Sequence, residues 1–145
     1  MDHPTQQFCT FHVDNLFLGI AVQQVQEVFR FQQMTRVPLA PNAVHGLINL
    51  RGQIVTAIDL RTRLGLPPRA TDRPPMNVVV RTDDGAITLL VDEIGDVQEV
   101  QGDTFERPPE TLKGELRSLI LGTYKLPDRL LLVLDTNQAV QLTAA

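Results

Sequence analysis

The chain has little of several things, and each scarcity excludes something. Among 145 residues there is no tryptophan, one tyrosine, one cysteine, one serine and two lysines. A single cysteine, Cys9, cannot make an internal disulfide, which fits a reducing, cytoplasmic compartment. Cys9 lies between Phe8 and Phe11 in an apolar strand pattern, the setting of an inert thiol. A nucleophilic cysteine needs a cationic partner to hold its thiolate. The serine, Ser118, stands in Leu116-Arg117-Ser118-Leu119, without the G-x-S-x-G turn that exposes a nucleophile. With Tyr124 as the one tyrosine, no aromatic-lined sugar cleft can form around Asp92, Glu93 and Asp96. Those carboxylates read as a solvated turn.

Positive charge is scarce too. Net charge is -4, and the eleven arginines are scattered without a basic stripe, so no nucleic-acid backbone is an expected partner. The longest apolar stretch, Ala86 to Val91, is interrupted by Thr88 and is far short of the roughly 20 residues of a membrane span. Met1 to Gln7 is polar and lacks the layout of a signal peptide. No direct membrane contact is expected. His3 falls in the N-terminal tail, His12 on a strand surface and His45 in a loop beside Gly46, where it could be a contact residue. None has paired zinc-ligand spacing. No phosphate loop or dinucleotide fingerprint occurs. The composition therefore points away from metal, cofactor and catalysis, and toward a binding module.

What is present is an apolar fraction of 43% in a length suited to one domain. Short runs rich in Val, Ile, Leu and Phe alternate with turn residues. They predict strands at Gln7–Val13, Leu16–Ala21, Gly46–Arg51, Gln53–Asp59, Met76–Arg81, Ala86–Asp92, Ser118–Leu121 and Arg129–Asp135. Asp59 followed by Leu60 to Leu64, Gly65 and Pro67 predicts a capped short helix. Asp135 likewise reads as a cap. Ala21, Val22, Val25, Val28 and Phe29 have helical spacing and predict a short amphipathic segment.

An internal repeat underlies this order. Val25-Gln26-Glu27-Val28 returns as Val97-Gln98-Glu99-Val100, an offset of 72 residues. Leu47-Ile48-Asn49-Leu50 is echoed at the same offset by Leu119-Ile120-Leu121-Gly122. Asp59 and Asp135 close the two copies, the second with a longer loop between. Two small units of this kind would pack side by side, because each alone buries little core. A groove between them is the expected binding site.

The stretch from Thr35 to Arg61 carries the most specific signal. Thr35-Arg36-Val37-Pro38-Leu39-Ala40-Pro41, then Val44-His45-Gly46-Leu47-Ile48-Asn49-Leu50-Arg51-Gly52-Gln53-Ile54-Val55, then Ile58-Asp59-Leu60-Arg61, resembles the signature of CheW-like chemotaxis adaptor proteins. Phe17-Leu18-Gly19-Ile20, Val25 to Val28, Leu90-Val91-Asp92-Glu93-Ile94 and Asp128 to Asp135 extend the resemblance over about Phe8 to Val140. Leu39, where the family often has a small residue or proline, and Phe17-Leu18, which replaces a common aromatic, depart from it.

The resemblance implies an all-β fold of two intertwined five-stranded SH3-like β-barrels with short helices, in a single domain over 1–145. The barrels would span roughly 16–82 and 83–140, with the strand near 7–13 completing the sheets. It implies a non-catalytic adaptor that couples cytoplasmic tips of transmembrane chemoreceptors (methyl-accepting proteins) to a CheA-type histidine kinase. Such an adaptor is cytoplasmic and is recruited to membrane receptor arrays through its partners. Carried over by position, the receptor-binding set is Val25, Glu27, Val28, Gly46, Arg51, Ile94 and Val97. The kinase-binding residues stay unassigned. Bland readings stand beside these: the four aliphatic residues as core, Gly46 as a backbone requirement, and Arg51 as a solvated charge or an exposed pair with Glu27. The alternatives are a regulatory domain of a larger kinase or receiver-fused coupling protein, a paralogue in a non-motility chemosensory pathway, or a small enzyme using Asp92, Glu93 or Asp96. The start at Met1 favours a stand-alone protein.

Overall fold

The computed structural model describes residues 5–70 and 72–141; His3 lies outside them. The strands are β1 (Thr5–Val13), β2 (Leu16–Ala21), β3 (Val25–Arg30), β4 (Val44–Leu50), β5 (Gln53–Asp59), β6 (Met76–Thr82), β7 (Gly85–Val91), β8 (Glu93–Gln101), β9 (Ile120–Lys125) and β10 (Leu130–Leu134). Three short helices accompany them: α1 (Leu60–Arg63), α2 (Gly114–Ser118) and α3 (Thr136–Ala139). The side chains of Asp59 and Asp135 cap α1 and α3, accepting from the Arg61 and Gln138 backbone N–H groups. Seven of the eight predicted strands lie where turn chemistry and alternation placed them. The eighth, predicted at Ser118–Leu121, begins later, because Gly114–Ser118 is helical.

The strands form two five-stranded sheets, ordered β8-β1-β2-β10-β9 and β3-β6-β7-β5-β4. In each, the third ladder is parallel and the others antiparallel. The two orders match strand for strand, so the fold is a duplication. It is circularly permuted, however: β1 and β2 complete the sheet of β8 to β10. A boundary between 82 and 83 therefore does not follow the sheets, since β2 pairs in one and β7 in the other.

Each sheet also folds toward closure through a single bridge. Thr35, beyond β3, exchanges backbone hydrogen bonds of 2.9 and 2.7 Å with Leu47 of β4. Glu106, beyond β8, does the same with Thr123 of β9 at 2.9 and 2.8 Å. A glycine sits beside each bridge because the crossing segment leaves no room for a side chain. A Cβ on Gly46 would meet the Thr35 carbonyl at 2.7 Å, and one on Gly122 the Glu106 carbonyl at 2.6 Å.

These bridges fix the true register of the repeat. Leu47 corresponds to Thr123 rather than to Leu119. The Asp59 N–H donates to the Ala43 carbonyl and the Asp135 N–H to the Leu119 carbonyl, both at 2.8 Å, an offset of 76 (59 to 135, 43 to 119). At the other end Val28 pairs with Val78 and Val97 with Cys9, an offset of 69 (28 to 97, 9 to 78). The uniform 72 read from the sequence lies between them. The tetrapeptide matches are out of register by a few residues, although the duplication is real. The second copy's extra length precedes β9, where α2 lies, rather than following it.

The segment predicted as helical from Ala21 to Phe29 is a 3-10 turn at Val22–Gln24 followed by β3. Its burial alternates with period two, turning Val25, Glu27 and Phe29 inward and Gln26, Val28 and Arg30 outward. β-Branched residues on a ladder with β6 outweigh an apolar spacing that fits either period.

One core serves both sheets. Phe11, Leu18, Ile20, Leu132 and Leu134 from the first pack in the same buried cluster as Ile58, Val78, Val80, Leu89 and Val91 from the second. A smaller satellite cluster gathers around Phe8, Tyr124 and Leu131.

Candidate functional site

Arg51 and Gly52 form the two-residue loop of the β4–β5 hairpin, since Leu50 pairs with Gln53. Both have positive φ, 52° and 86°, as a type I′ turn requires. The Gly52 N–H donates to Asn49 Oδ1 at 2.9 Å and fixes the turn. Glycine takes this conformation freely, whereas arginine is held there at a cost. The Arg51 side chain is 78% exposed and reaches across to β3, donating from a terminal nitrogen to Glu27 Oε1 at 2.9 Å. Glu27 points inward on β3, and its carboxylate anchors the guanidinium on one side only.

The other residues expected from the sequence to bind a receptor divide by their surroundings. Val28 of β3 and Val97 of β8 are exposed, at 45% and 57%. They occupy equivalent places in the two sheets, each on a terminal strand. Val25 and Ile94 are equivalent in the same way, and both pack partly buried against the shared core. Gly46 is buried beneath Thr35. Its φ is not positive, so the glycine answers to close packing, not to backbone angle. Val25, Glu27, Val28, Gly46 and Arg51 belong to one sheet, drawn together by its closure and by the Arg51–Glu27 pair. Ile94 and Val97 belong to the other.

The acidic residues 92, 93 and 96 do not share one environment. Glu93 and Asp96 are exposed, but the Asp92 side chain is only 18% exposed, against the solvated-turn expectation. Asp92 links β7 of one sheet to β8 of the other. Arg61 of α1 grips its carboxylate in bidentate fashion, Nε at 2.9 Å and a terminal nitrogen at 2.6 Å. Arg69 donates to it at 3.1 Å and bonds Asp59 at 3.1 Å. The Asp14 N–H, from the β1–β2 turn, donates at 2.7 Å. Burial alone would raise the Asp92 carboxyl, but the Arg61 and Asp14 hydrogen bonds and the charges of Arg61 and Arg69 hold it below the ordinary carboxylate value. Sequence spacing gives no sign of this cluster, because the partners of Asp92 lie 23 to 78 residues away from it.

A cleft of about 620 Å³ opens beside these groups, lined by His12, Asp14, Arg61, Arg69, Arg73, Asp92 and others. Its arginines are largely occupied by the carboxylates around them. A second, of about 320 Å³, is lined mainly by apolar groups including Phe8, Phe105, Leu121 and Tyr124. Neither is lined by any of the residues expected from the sequence to bind a receptor.

The remaining nucleophile and ligand candidates are quiet. Burial pushes the Cys9 thiol up, away from a reactive thiolate. Ser118 Oγ donates to the Glu115 carbonyl. His12 stacks on Phe17 with ring centroids 5.1 Å apart. His45 meets Phe31 edge-on at 5.6 Å. Among the described residues no cluster of three metal-ligating side chains occurs, and no helix is long and apolar enough to cross a membrane.

Comparison with known proteins agrees with this architecture. The chemotaxis protein CheW of Bacillus subtilis (strain 168) is 32% identical over 132 residues, covering 91% of this chain and 85% of that protein. CheW of Thermotoga maritima is 28% identical over 134 residues, with 91% and 85% covered. The crystal structure of the scaffolding protein TtCheW from Thermoanaerobacter tengcongensis superposes with a TM-score of 0.88 over 98% of this chain and 97% of that one, at 22% identity. The family model described as the CheW-like domain matches residues 7–144, and with the duplicated sheets and the Arg51 hairpin in place, the chain belongs to the CheW-like family.

Proposed function

We propose that this chain is a chemotaxis adaptor that couples the cytoplasmic tips of chemoreceptors to a CheA-type histidine kinase by binding alone. It would act in the cytoplasm and reach membrane receptor arrays through those partners. The observation that carries this reading is Arg51. A charged side chain is displayed on a left-handed hairpin loop, where it costs stability, and its ionic partner among the described residues, Glu27, makes an exposed contact worth about 0–1 kcal/mol. Display toward a partner explains the position better than stability does.

Arg51 supplies directional charged hydrogen bonds to carboxylates or helix-end carbonyls on a receptor helix. Val28 and Val97 supply exposed apolar contact on the terminal strands β3 and β8. Val25 and Ile94 anchor those strands against the shared core, and Gly46 on β4 leaves room for the crossing segment at Thr35. An amphipathic helix laid along such a surface is a common recognition mode. Kinase control then follows from geometry: the adaptor fixes where the kinase sits relative to the receptor.

Co-sedimentation with receptor cytoplasmic fragments, with and without the kinase, tests this. The chain should pellet with receptor fragments and raise the kinase fraction recovered. Arg51→Ala should lose receptor binding and keep kinase binding. Equal loss of both, or neither, would overturn the assignment.

A further inference from the structure

The chain passes from one sheet to the other twice, at Ala21–Val25 and at Val91–Glu93. Each passage delivers directly into a terminal strand: the first into β3, the second into β8. The four aliphatic members of the docking set lie on those two strands, within a few residues of the passages. Whatever fixes the passages therefore fixes how β3 and β8 are presented together.

The duplication makes the two joints comparable position by position. Gln23 corresponds to Asp92, Asp83 to Asp14, and Asn137 to Arg61. At the first joint the contacts are weaker, with no ion pair between carboxylate and guanidinium among the described residues. Asn137 Oδ1 accepts from the Asp83 N–H at 3.0 Å, Gln24 Nε2 donates to Thr136 Oγ1 at 3.3 Å, and Arg81 donates to the Gln23 carbonyl at 3.2 Å. At the second joint the same places hold a largely buried ionic cluster. The Arg61 and Arg69 side chains, 15% and 12% exposed, clamp Asp92 from the β5 side, while the Asp14 N–H and the His12 carbonyl, which accepts from the Asp92 N–H at 2.9 Å, hold it from the β1–β2 side. Asp92 is thus bonded to both sheets.

We propose that Asp92, with Arg61 and Arg69, is a positioning joint: it fixes the setting of β8 relative to β3, and so assembles the two aliphatic strands into one docking surface. The inference rests on the adaptor reading above. A shared apolar core keeps the sheets together but is non-directional, and leaves small sliding adjustments open. Bidentate arginine–carboxylate bonds are directional. A polar cluster in this place specifies one setting among several that the core would tolerate.

Pulsed electron–electron distance measurement tests the joint in the full chain. Labels at Arg30→Cys on β3 and Gln101→Cys on β8, in a Cys9→Ala background, report the setting of the two strands. The wild-type joint should give one narrow distribution. Asp92→Asn should shift or broaden it and weaken binding of a receptor-tip fragment about tenfold, although Asp92 is not itself one of the proposed contacts. Val55→Ala, a core change with a comparable loss of stability, should leave both unchanged, as should Asn137→Ala at the other joint. Arg69→Gln, which removes one arm of the clamp, gives the same reading should Asp92→Asn fail to fold. An unaltered distance distribution or unaltered receptor affinity in the folded joint variant overturns the proposal. Absence of binding by the unmutated chain would instead overturn the adaptor reading, while the distance measurement still decides whether the joint sets the strands.

Discussion

Replacing Arg51 by asparagine separates display from stability. The Arg51-Gly52 loop has the type I′ conformation, for which Asn-Gly is the preferred pair. Asparagine tolerates the left-handed region, so the change should return about 0.5–1 kcal/mol of backbone strain. Against this stands the ion pair with Glu27. With side chains 78% and 23% exposed, it falls in the class worth about 0–1 kcal/mol. No buried surface is lost, and the Asn49–Gly52 bond is untouched. Arg51→Asn should therefore unfold in urea close to the wild-type midpoint, between about 0.5 kcal/mol below and about 1 kcal/mol above it. Binding should respond in the opposite sense. Losing a charged donor removes about 1.5–3 kcal/mol, or about ten- to a hundredfold in Kd for a receptor-tip fragment. Titration calorimetry beside the urea curve reads both. A loss of stability beyond about 1 kcal/mol would show that Arg51 holds the hairpin together rather than serving a partner.

Two further expectations follow from packing and charge. Gly46→Ala pushes a Cβ to 2.7 Å from the Thr35 carbonyl, a backbone atom that cannot swing aside. It should cost about 1–3 kcal/mol by thermal denaturation, and a neutral result would mean that the closing bridge is loose. Asp92→Asn should cost about 1–3 kcal/mol at pH 7, between the values for exposed and buried pairs. The wild-type Asp92 carboxyl is depressed by its arginines, so its contribution is present above the ordinary carboxylate value of about 3.9 and is lost as pH falls through the lower folded value. Urea curves at pH 7, 5 and 3 should show the gap between wild type and variant closing toward acid, and a gap independent of pH would exclude a charge-based role.

Much of the fold was legible because most strands announce themselves locally. Met76–Thr82 and Gly85–Val91 are apolar runs around an Asp-Asp-Gly turn, and Asp59 and Asp135 carry capping chemistry in their own side chains. Two of the four terminal strands, β3 and β8, were not legible, for a common reason. β3 and β8 have a solvent face, are interrupted by bulges in their pairing between Val25 and Glu27 and opposite Cys9 and Phe11, and contain a V-x-x-V spacing that fits a helix as well as a strand. Alternation is the signal for a strand, and a bulge erases it. Arg51 was legible as a surface residue because it precedes Gly52, but its strained φ was not. The Asp92 cluster had no local signature at all, since its partners come from α1, the loop after it and the β1–β2 turn.

The permuted duplication explains why this must be one domain and why the joint matters. Had each sheet been built from a contiguous half, the halves could separate and each would keep its five strands. Here β1 and β2 lie between β8 and β10 in the order of the first sheet. Removing residues 5–21 would strip β8 of its partner β1 and leave β10 without its parallel neighbour. It would also take Phe11, Val13, Leu18 and Ile20 from the core that the second sheet shares. The first sheet cannot form without chain from both ends, and the second packs its core against it, so the two cannot drift as beads on a linker. Their relative setting is a property of the folded domain, and a protein that works by holding others at a fixed geometry needs that setting defined. The apolar core supplies cohesion, and the directional bonds at Asp92 supply the angle.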